Sequence, residues 1–153
     1  MTFLIFLLLI FNPACDEMPA LREAFFKINS EEALNNFFKT IDKSNCAQSK
    51  AYACVAEMMK AQYVFSPYSK YKHFANGRDA LESFIKKYPN NVEARFLRFV
   101  VQRKTPKIVG YKNEMENDAA FIRKNIAKSD LPAFYQEKIL DSIKEMEHKP
   151  VYK

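Results

Sequence analysis

The chain of 153 residues contains no tryptophan, two glycines and three cysteines, and its longest apolar run is nine residues. So few glycines disfavour a β-rich fold, because tight hairpin turns depend on glycine at positive φ. Gly77 and Gly110 have no glycine partner at GxGxxG or Walker spacing, which excludes a Gly-rich phosphate loop. The composition therefore predicts an all-helical protein without a mononucleotide loop.

Histidine is also scarce, which bears on catalysis and metal binding. Only His73 and His148 are present, and the sequence has neither CxxC nor HExxH. His73 has no recognisable nucleophile or carboxylate partner at local spacing, and His148 lies in a polar tail. The sequence therefore predicts no metal site, no cofactor and no catalytic residue, and a hydrolase is the least favoured class.

The apolar run lies at the N-terminus, from Phe3 to Phe11, and is too short for a membrane helix, which needs about 20 residues. We interpret it as the core of an export signal covering residues 1–15, although Met1-Thr2 provides no basic residue. The following Asn12-Pro13-Ala14-Cys15 resembles a bacterial lipobox. Two outcomes stay open for Cys15: acylation, which would attach the protein to a membrane, or loss or survival as a free thiol.

Either outcome places the protein in the periplasm, at the outer membrane or in the medium. The predicted folding unit is a single domain over residues 16–148, followed by a tail at 149–153. In an oxidising compartment Cys46 and Cys54 could pair. The helix-forming segment between them would separate them by about 12 Å, so two buried free thiols are the favoured interpretation.

Prolines and cap residues divide the rest of the chain into about six to seven amphipathic helices. The predicted helices are a short one after Pro19, one from Ser30, one over 47–65, one through 80–88, one over 92–103, one over 111–126 and one from Ser129. A short aromatic segment over 68–76 precedes the fourth helix, and a one-turn element is expected at Thr105-Pro106. No segment alternates with period two, so antiparallel helical hairpins are the simplest all-α architecture.

One segment, GRDALESFIKKYPNNVEA over residues 77–94, resembles the end of one tetratricopeptide repeat and the beginning of the next. The small Gly77, the large Leu81 and Phe84, and Pro89 stand at the spacing of that repeat. A proline interrupts the preceding helix, and the pattern does not recur one repeat length further on. The resemblance implies right-handed packing of helix pairs and not a counted repeat array.

A second resemblance covers most of the mature chain. The segments KAYACVAEMM at 50–59, SPYSK at 66–70 and VEARFLRF at 92–99, with Gly110-Tyr111, resemble an uncharacterised family of small secreted helical proteins from Bacteroidota. This resemblance implies a bacterial exported protein in a Gram-negative envelope, and it implies no activity.

Charge is distributed unevenly along the chain. Residues 57–112 hold twelve basic and four acidic groups, a net charge of +8, whereas the whole chain carries +6. Such a surface could bind anionic lipid head groups, lipopolysaccharide or an acidic protein. Nucleic acid is not an expected partner, because the chain has no recognised reading motif and carries an export signal.

Arg95, Arg98 and Gln102 recur at helical spacing and would form one polar ridge. Two guanidinium groups on such a ridge could hold a carboxylate or a phosphate of a partner. In the favoured alternative the arginines lock a helical hairpin by pairing with an acidic residue of the next helix, which would be Glu114, Glu116 or Asp118.

The chain has fourteen phenylalanines and eight tyrosines, and most of them are expected in the core. One group is denser than a single helix face requires and could line an apolar groove: Tyr63, Phe65, Tyr68, Tyr71 and Phe74. The sequence as a whole predicts an exported, non-enzymatic helical protein that presents a groove or a basic face to a protein partner. A binder of an apolar or anionic small ligand is the alternative.

Overall fold

Seven α-helices follow one another along residues 15–149, the part of the chain that this computed structural model describes. They are α1 (Met18–Phe26), α2 (Glu31–Ile41), α3 (Ser49–Met59), α4 (Pro67–Lys87), α5 (Val92–Lys104), α6 (Met115–Asn125) and α7 (Ala133–His148). A 3-10 turn follows each of α3, α5 and α6, and the described residues contain no strand. The predicted all-α fold class is confirmed. Apart from Cys15, the predicted leader lies outside the described residues.

Side-chain caps explain where several helices begin. The Ser30 hydroxyl accepts a hydrogen bond from the Ala33 amide at 3.1 Å, and the Asn91 side chain accepts one from the Ala94 amide at 2.8 Å. Each cap satisfies a backbone N–H that has no partner within its own helix. These are the starts of α2 and α5, which the sequence predicted at Ser30 and at residue 92.

The longest helix, α4, differs from the sequence prediction. The aromatic segment over 68–76 forms its first half, and the preceding helix ends at Met59 instead of residue 65. Ser66 caps α4 by accepting from the Ser69 amide, and Pro67 occupies the first turn, where its missing N–H costs nothing. The Ser66-Pro67 pair is therefore a start signal, which the prediction used only as a stop.

Gly77 allows α4 to lie unusually close to α3. A Cβ atom at this position would lie 2.4 Å from the Cys54 carbonyl oxygen and 2.6 Å from Cγ of Met58. Both distances are shorter than van der Waals contact, so no larger residue fits without moving a helix. A small residue at position 77 is thus required by the packing of these two helices.

Helix α5 contributes to two hydrophobic clusters. Its Ala94 and Leu97 pack into a cluster formed largely by α1 to α4, and its Phe96 and Phe99 pack into a second cluster with α6 and α7. Eight of its thirteen residues are buried, as the broad apolar face of this segment predicted.

The chain between α5 and α7 also follows the prediction in part. The one-turn element is confirmed as a 3-10 turn over Lys107–Val109, and Gly110 ends it at φ +71°, a conformation that favours glycine. Helix α6 begins at Met115, four residues later than predicted, although Tyr111 is buried. Helix α7 begins after Pro132 and not at Ser129.

Candidate functional site

The predicted polar ridge on α5 is turned inward, towards α6. Arg98 donates from Nε to Oδ2 of Asp118 at 2.7 Å and from Nη2 to Oδ1 at 2.7 Å, and Arg95 donates to Oδ1 at 3.0 Å. Asp118 is completely buried, and Arg98 is nearly so. The two arginines therefore lock the α5–α6 hairpin, and the ridge is not a free anion surface.

Gln102, the third residue of that ridge, is also buried. Its side-chain oxygen accepts from the Glu114 amide at 3.1 Å, and its backbone carbonyl accepts from Nζ of Lys112 at 2.8 Å. Gln102 thus fixes the segment that leads into α6, which explains why a polar side chain occupies an interior position.

A second buried polar network was not predicted from the sequence. Arg22 donates to both oxygens of Glu93, at 2.6 and 2.9 Å, and the Tyr52 hydroxyl donates to the same carboxylate. The Tyr52 and Tyr135 hydroxyls are 2.8 Å apart. Burial alone would lower the pKa of Arg22, but the pairing with Glu93 raises it above the ordinary value. This network joins α1, α3, α5 and α7.

His73 has a carboxylate partner that local spacing did not reveal. Its Nδ1 lies 2.8 Å from Oε1 of Glu57, and Lys60 contacts the other oxygen of Glu57 at 2.8 Å. Burial would raise the pKa of Glu57, but its hydrogen bonds to Lys60 and His73 outweigh burial and lower it. The partner of His73 is 16 residues away because α3 and α4 are antiparallel.

The structure joins Cys15 to Cys46 in a disulfide with a Cα–Cα distance of 5.4 Å. The prediction that Cys46 is a free thiol is therefore wrong, and so is its alternative, a bond to Cys54. The sulfur of Cys15 takes part in this disulfide, so it is not available for acylation. Cys54 is the free cysteine among the described residues. Burial raises the pKa of the Cys54 thiol to about 11.

The five aromatic residues predicted to line a groove separate into two groups. Tyr63 and Phe74 are partly buried against the first hydrophobic cluster, and Tyr63 lines a small groove of about 180 Å³. The other three project into solvent: Phe65 is 98% exposed, and Tyr68 and Tyr71 are exposed as well. The predicted common apolar groove is therefore wrong, because the first turns of α4 extend beyond the helices that would cover them.

A second exposed apolar tip lies in a segment that contacts α4. Ile108, in the 3-10 turn after α5, is 95% exposed. That turn leads directly to Tyr111, whose ring is 6.0 Å from the ring of Phe74 on α4. Tyr71 lies one helical turn before Phe74, and Ile108 lies three residues before Tyr111, so this contact brings the two segments that carry the exposed residues together.

The two sequence segments that contain these tips carry basic residues and no acidic ones. Residues 58–78 and 94–113 contain ten lysines and arginines in total and no aspartate or glutamate. Four lysines in these segments are exposed: Lys70, Lys72, Lys104 and Lys107. We call the surface formed by these lysines with Phe65, Tyr68, Tyr71 and Ile108 the aromatic–basic end.

A larger groove, of about 540 Å³, lies elsewhere, between α1 and α7. Phe26 and Phe134 line it, and the Lys138 ammonium lies 5.1 Å from the centroid of the Phe26 ring. Two further cations in its lining, Arg22 and Lys27, are paired with Glu93 and Glu23. The groove thus has fewer unpaired charges to offer than the aromatic–basic end.

Within residues 15–149, no three His, Cys, Asp or Glu side chains are grouped so as to hold a metal ion. None of the described helices has the length and apolarity that a bilayer-spanning segment needs. Comparison of the chain with protein-family models, with curated proteins and with solved structures finds no match. The functional argument therefore depends on the geometry and chemistry of the chain itself.

Proposed function

We propose that this chain is an exported, non-enzymatic helical binding module, and that the aromatic–basic end is its docking face. The observation that carries the proposal is that the strongly exposed Phe65 and Ile108 belong to two segments without aspartate or glutamate, and that these segments meet where the rings of Phe74 and Tyr111 are in contact. Exposed apolar clusters on soluble proteins commonly mark interaction sites, whereas single exposed apolar residues do not.

The use of the polar residues supports a binding role over a catalytic one. Asp118 and Glu93 are buried and occupied by arginines, and these pairs connect helices. His73 is held by Glu57, which Lys60 also contacts. The groups best suited to acid–base chemistry thus have structural partners, while the aromatic–basic end keeps its side chains exposed.

Export is supported by the Cys15–Cys46 disulfide, because such bonds persist in oxidising compartments and are rare in the cytosol. The compartment would be the periplasm, the outer membrane or the medium. The tetratricopeptide-like segment fits a binding module, since paired helices provide a rigid support for an exposed end. In this proposal α3 and α4, in close contact at Gly77, are that support.

Photo-crosslinking in the producing cells tests the docking face. The photoreactive residue p-benzoylphenylalanine, placed at Phe65 or at Ile108, forms a bond to C–H groups of proteins and lipids alike. Phe134 is the matched control, because it is 70% exposed but lies on α7 outside the aromatic–basic end. We expect covalent adducts from positions 65 and 108 well above those from 134. Equal yields at all three positions would contradict the proposal.

A further inference from the structure

We propose that the aromatic–basic end docks on the surface of an anionic lipid bilayer, with Phe65 and Ile108 inserted among the head groups. This inference rests on the proposed function and names the partner of the same face. It is argued from the shape of the two apolar tips, from the identity of the surrounding cations and from the lack of carboxylates in the two segments that carry the tips.

The two apolar tips protrude and have little surrounding protein surface. Phe65 is 98% exposed just before α4, and Ile108 is 95% exposed in a three-residue turn. An anchor for a protein partner acts by filling a complementary pocket, usually near the centre of a flat, well-packed interface. Protruding single side chains suit a deformable medium such as the head-group region, where aromatic rings are favoured.

Tyr68 and Tyr71 extend this apolar surface along the first turns of α4. A tyrosine has an apolar ring and a polar hydroxyl, so it is stable at the boundary between acyl chains and water. Tyr68 and Tyr71 are three residues apart in α4, so they lie on the same face of the helix and could meet a membrane together.

The exposed cations of this end are lysines. Lys70, Lys72, Lys104 and Lys107 are exposed, and none of them is in an ion pair of the described residues. Lysine is depleted at protein–protein interfaces, where arginine is enriched. A lysine near an anionic membrane strengthens binding, and its long aliphatic chain lets the ammonium reach the phosphates.

Segments 58–78 and 94–113 contribute no carboxylate to this end, although the exposed Glu31 of α2 lines the small groove beside Tyr63 and Val64. Glu57 and Asp79 are the carboxylates that border the acid-free segment 58–78. Glu57 is bound by Lys60 and His73, and Asp79 accepts from Nε of Arg78 at 2.8 Å. The end therefore presents a positive face that complements anionic head groups.

A tryptophan probe tests insertion directly, because the chain has no tryptophan of its own. Phe65→Trp places a single indole at the tip, where high exposure makes the substitution harmless to packing. Phe134→Trp is the matched control on α7. With vesicles of phosphatidylcholine and phosphatidylglycerol, we expect a blue shift and quenching by brominated acyl chains for Phe65→Trp. The Phe134→Trp protein should show neither.

A charge-matched pair of variants tests the lysines. One variant replaces the four lysines of the aromatic–basic end by glutamine; the other replaces Lys43, Lys50, Lys86 and Lys87. The four control lysines are exposed and lie at the opposite end of the molecule. A hydrogen bond of 2.6 Å between the side chains of Asn91 and Gln48 joins the starts of α5 and α3 at that end. Along α4, Lys86 is about 24 Å from Lys70. In flotation with the same vesicles, we expect the first variant to bind at least about tenfold more weakly. The control variant should bind like the original protein.

The outcomes separate this inference from the proposed function. No binding to these vesicles, equal binding to phosphatidylcholine alone, or equal loss in both lysine variants would overturn the lipid inference. If the photo-crosslinker at position 65 then gives a protein adduct, the docking face stands and its partner is a protein. If it gives no adduct either, both proposals fail. Circular dichroism of each variant verifies that it is folded before binding is compared.

Discussion

Asp118 illustrates, at the scale of a single residue, how charge is used inside this protein. It is completely buried on α6, and its two oxygens accept three hydrogen bonds from Arg95 and Arg98 on α5. The Arg95 guanidinium also lies 4.1 Å from the centroid of the Phe121 ring. Such a buried ion pair makes only a modest net contribution to the free energy of unfolding. Removal of one partner is much more costly, because it leaves the other charge buried without compensation.

We therefore expect Asp118→Ala to lower the free energy of unfolding by about 3 to 5 kcal/mol, because Arg98 stays buried without its main acceptor. Glu116→Ala is the control, since Glu116 is exposed in the same helix. Its loss should cost about 0.5 kcal/mol through the helix dipole. Urea denaturation followed by circular dichroism measures both. Equal effects of the two substitutions would show that the buried carboxylate has no special role.

At the scale of helices, the close contact of α3 with α4 depends on Gly77. In an exposed helix, replacing glycine by alanine stabilises by about 1 kcal/mol. Here the added methyl group would collide with the backbone of α3. We expect Gly77→Ala to destabilise by about 1 to 3 kcal/mol. Asn76→Ala, at the exposed neighbouring position, should leave stability equal or higher. The midpoints of thermal unfolding of the two variants test this prediction. A higher midpoint for Gly77→Ala than for the original protein would contradict the observed packing.

The disulfide acts on the first two helices. Its cysteines are 31 residues apart in sequence, and the loop that they close contains α1 and α2. Cross-linking a loop of this length is expected to stabilise by about 3 to 4 kcal/mol, mainly by restricting the unfolded chain. The double variant Cys15→Ser, Cys46→Ser should therefore lose that amount in urea denaturation.

Cys54→Ser is the control for the disulfide, because it leaves the bond intact and should change stability by less than about 1 kcal/mol. The mass of the unreduced protein after alkylation supplies a second measurement. One thiol should be available, and it should react slowly at neutral pH because burial raises the pKa of Cys54 to about 11. Three reactive thiols in the exported protein would contradict the pairing of Cys15 with Cys46.

For the whole molecule, three tyrosines link stability to alkaline pH. Burial is the main cause that raises the pKa of Tyr52 and of Tyr135, and the negative charge of Glu93 is the second. Burial and the hydrogen bond to Glu82 raise that of Tyr111. In the unfolded chain all three would ionise near pH 10. A pKa raised by folding gives stability that is complete below about pH 10 and is lost as pH rises above it.

The free energy of unfolding should thus fall by about 1.4 kcal/mol per pH unit for each of these tyrosines, or about 4 kcal/mol for the three, above pH 10. Tyrosinate absorbance during the titration should show these three tyrosines ionising only with unfolding. Tyr111→Phe should reduce the slope by about one third. Tyr68→Phe, at an exposed position, should leave it unchanged; equal slopes in both variants would refute this account.

The sequence by itself determined the elements and their chemistry. Apolar spacing and cap residues predicted the all-α class and the starts of α2 and α5, because both signals act within one or two helical turns. The count of charges already located the basic middle of the chain. Ser66-Pro67 was misjudged because the same pair can end one helix and begin the next.

The tertiary structure alone decided which distant residues meet. The partner of Cys46 is Cys15 and not the nearer Cys54, and Glu93 is reached by Arg22 from 71 residues away. The segments that carry Phe65 and Ile108 meet only because Phe74 of α4 packs against Tyr111. The physical reason is that local patterns specify helices and their apolar faces. The arrangement of those faces is set by the packing of the whole core, which no single segment encodes.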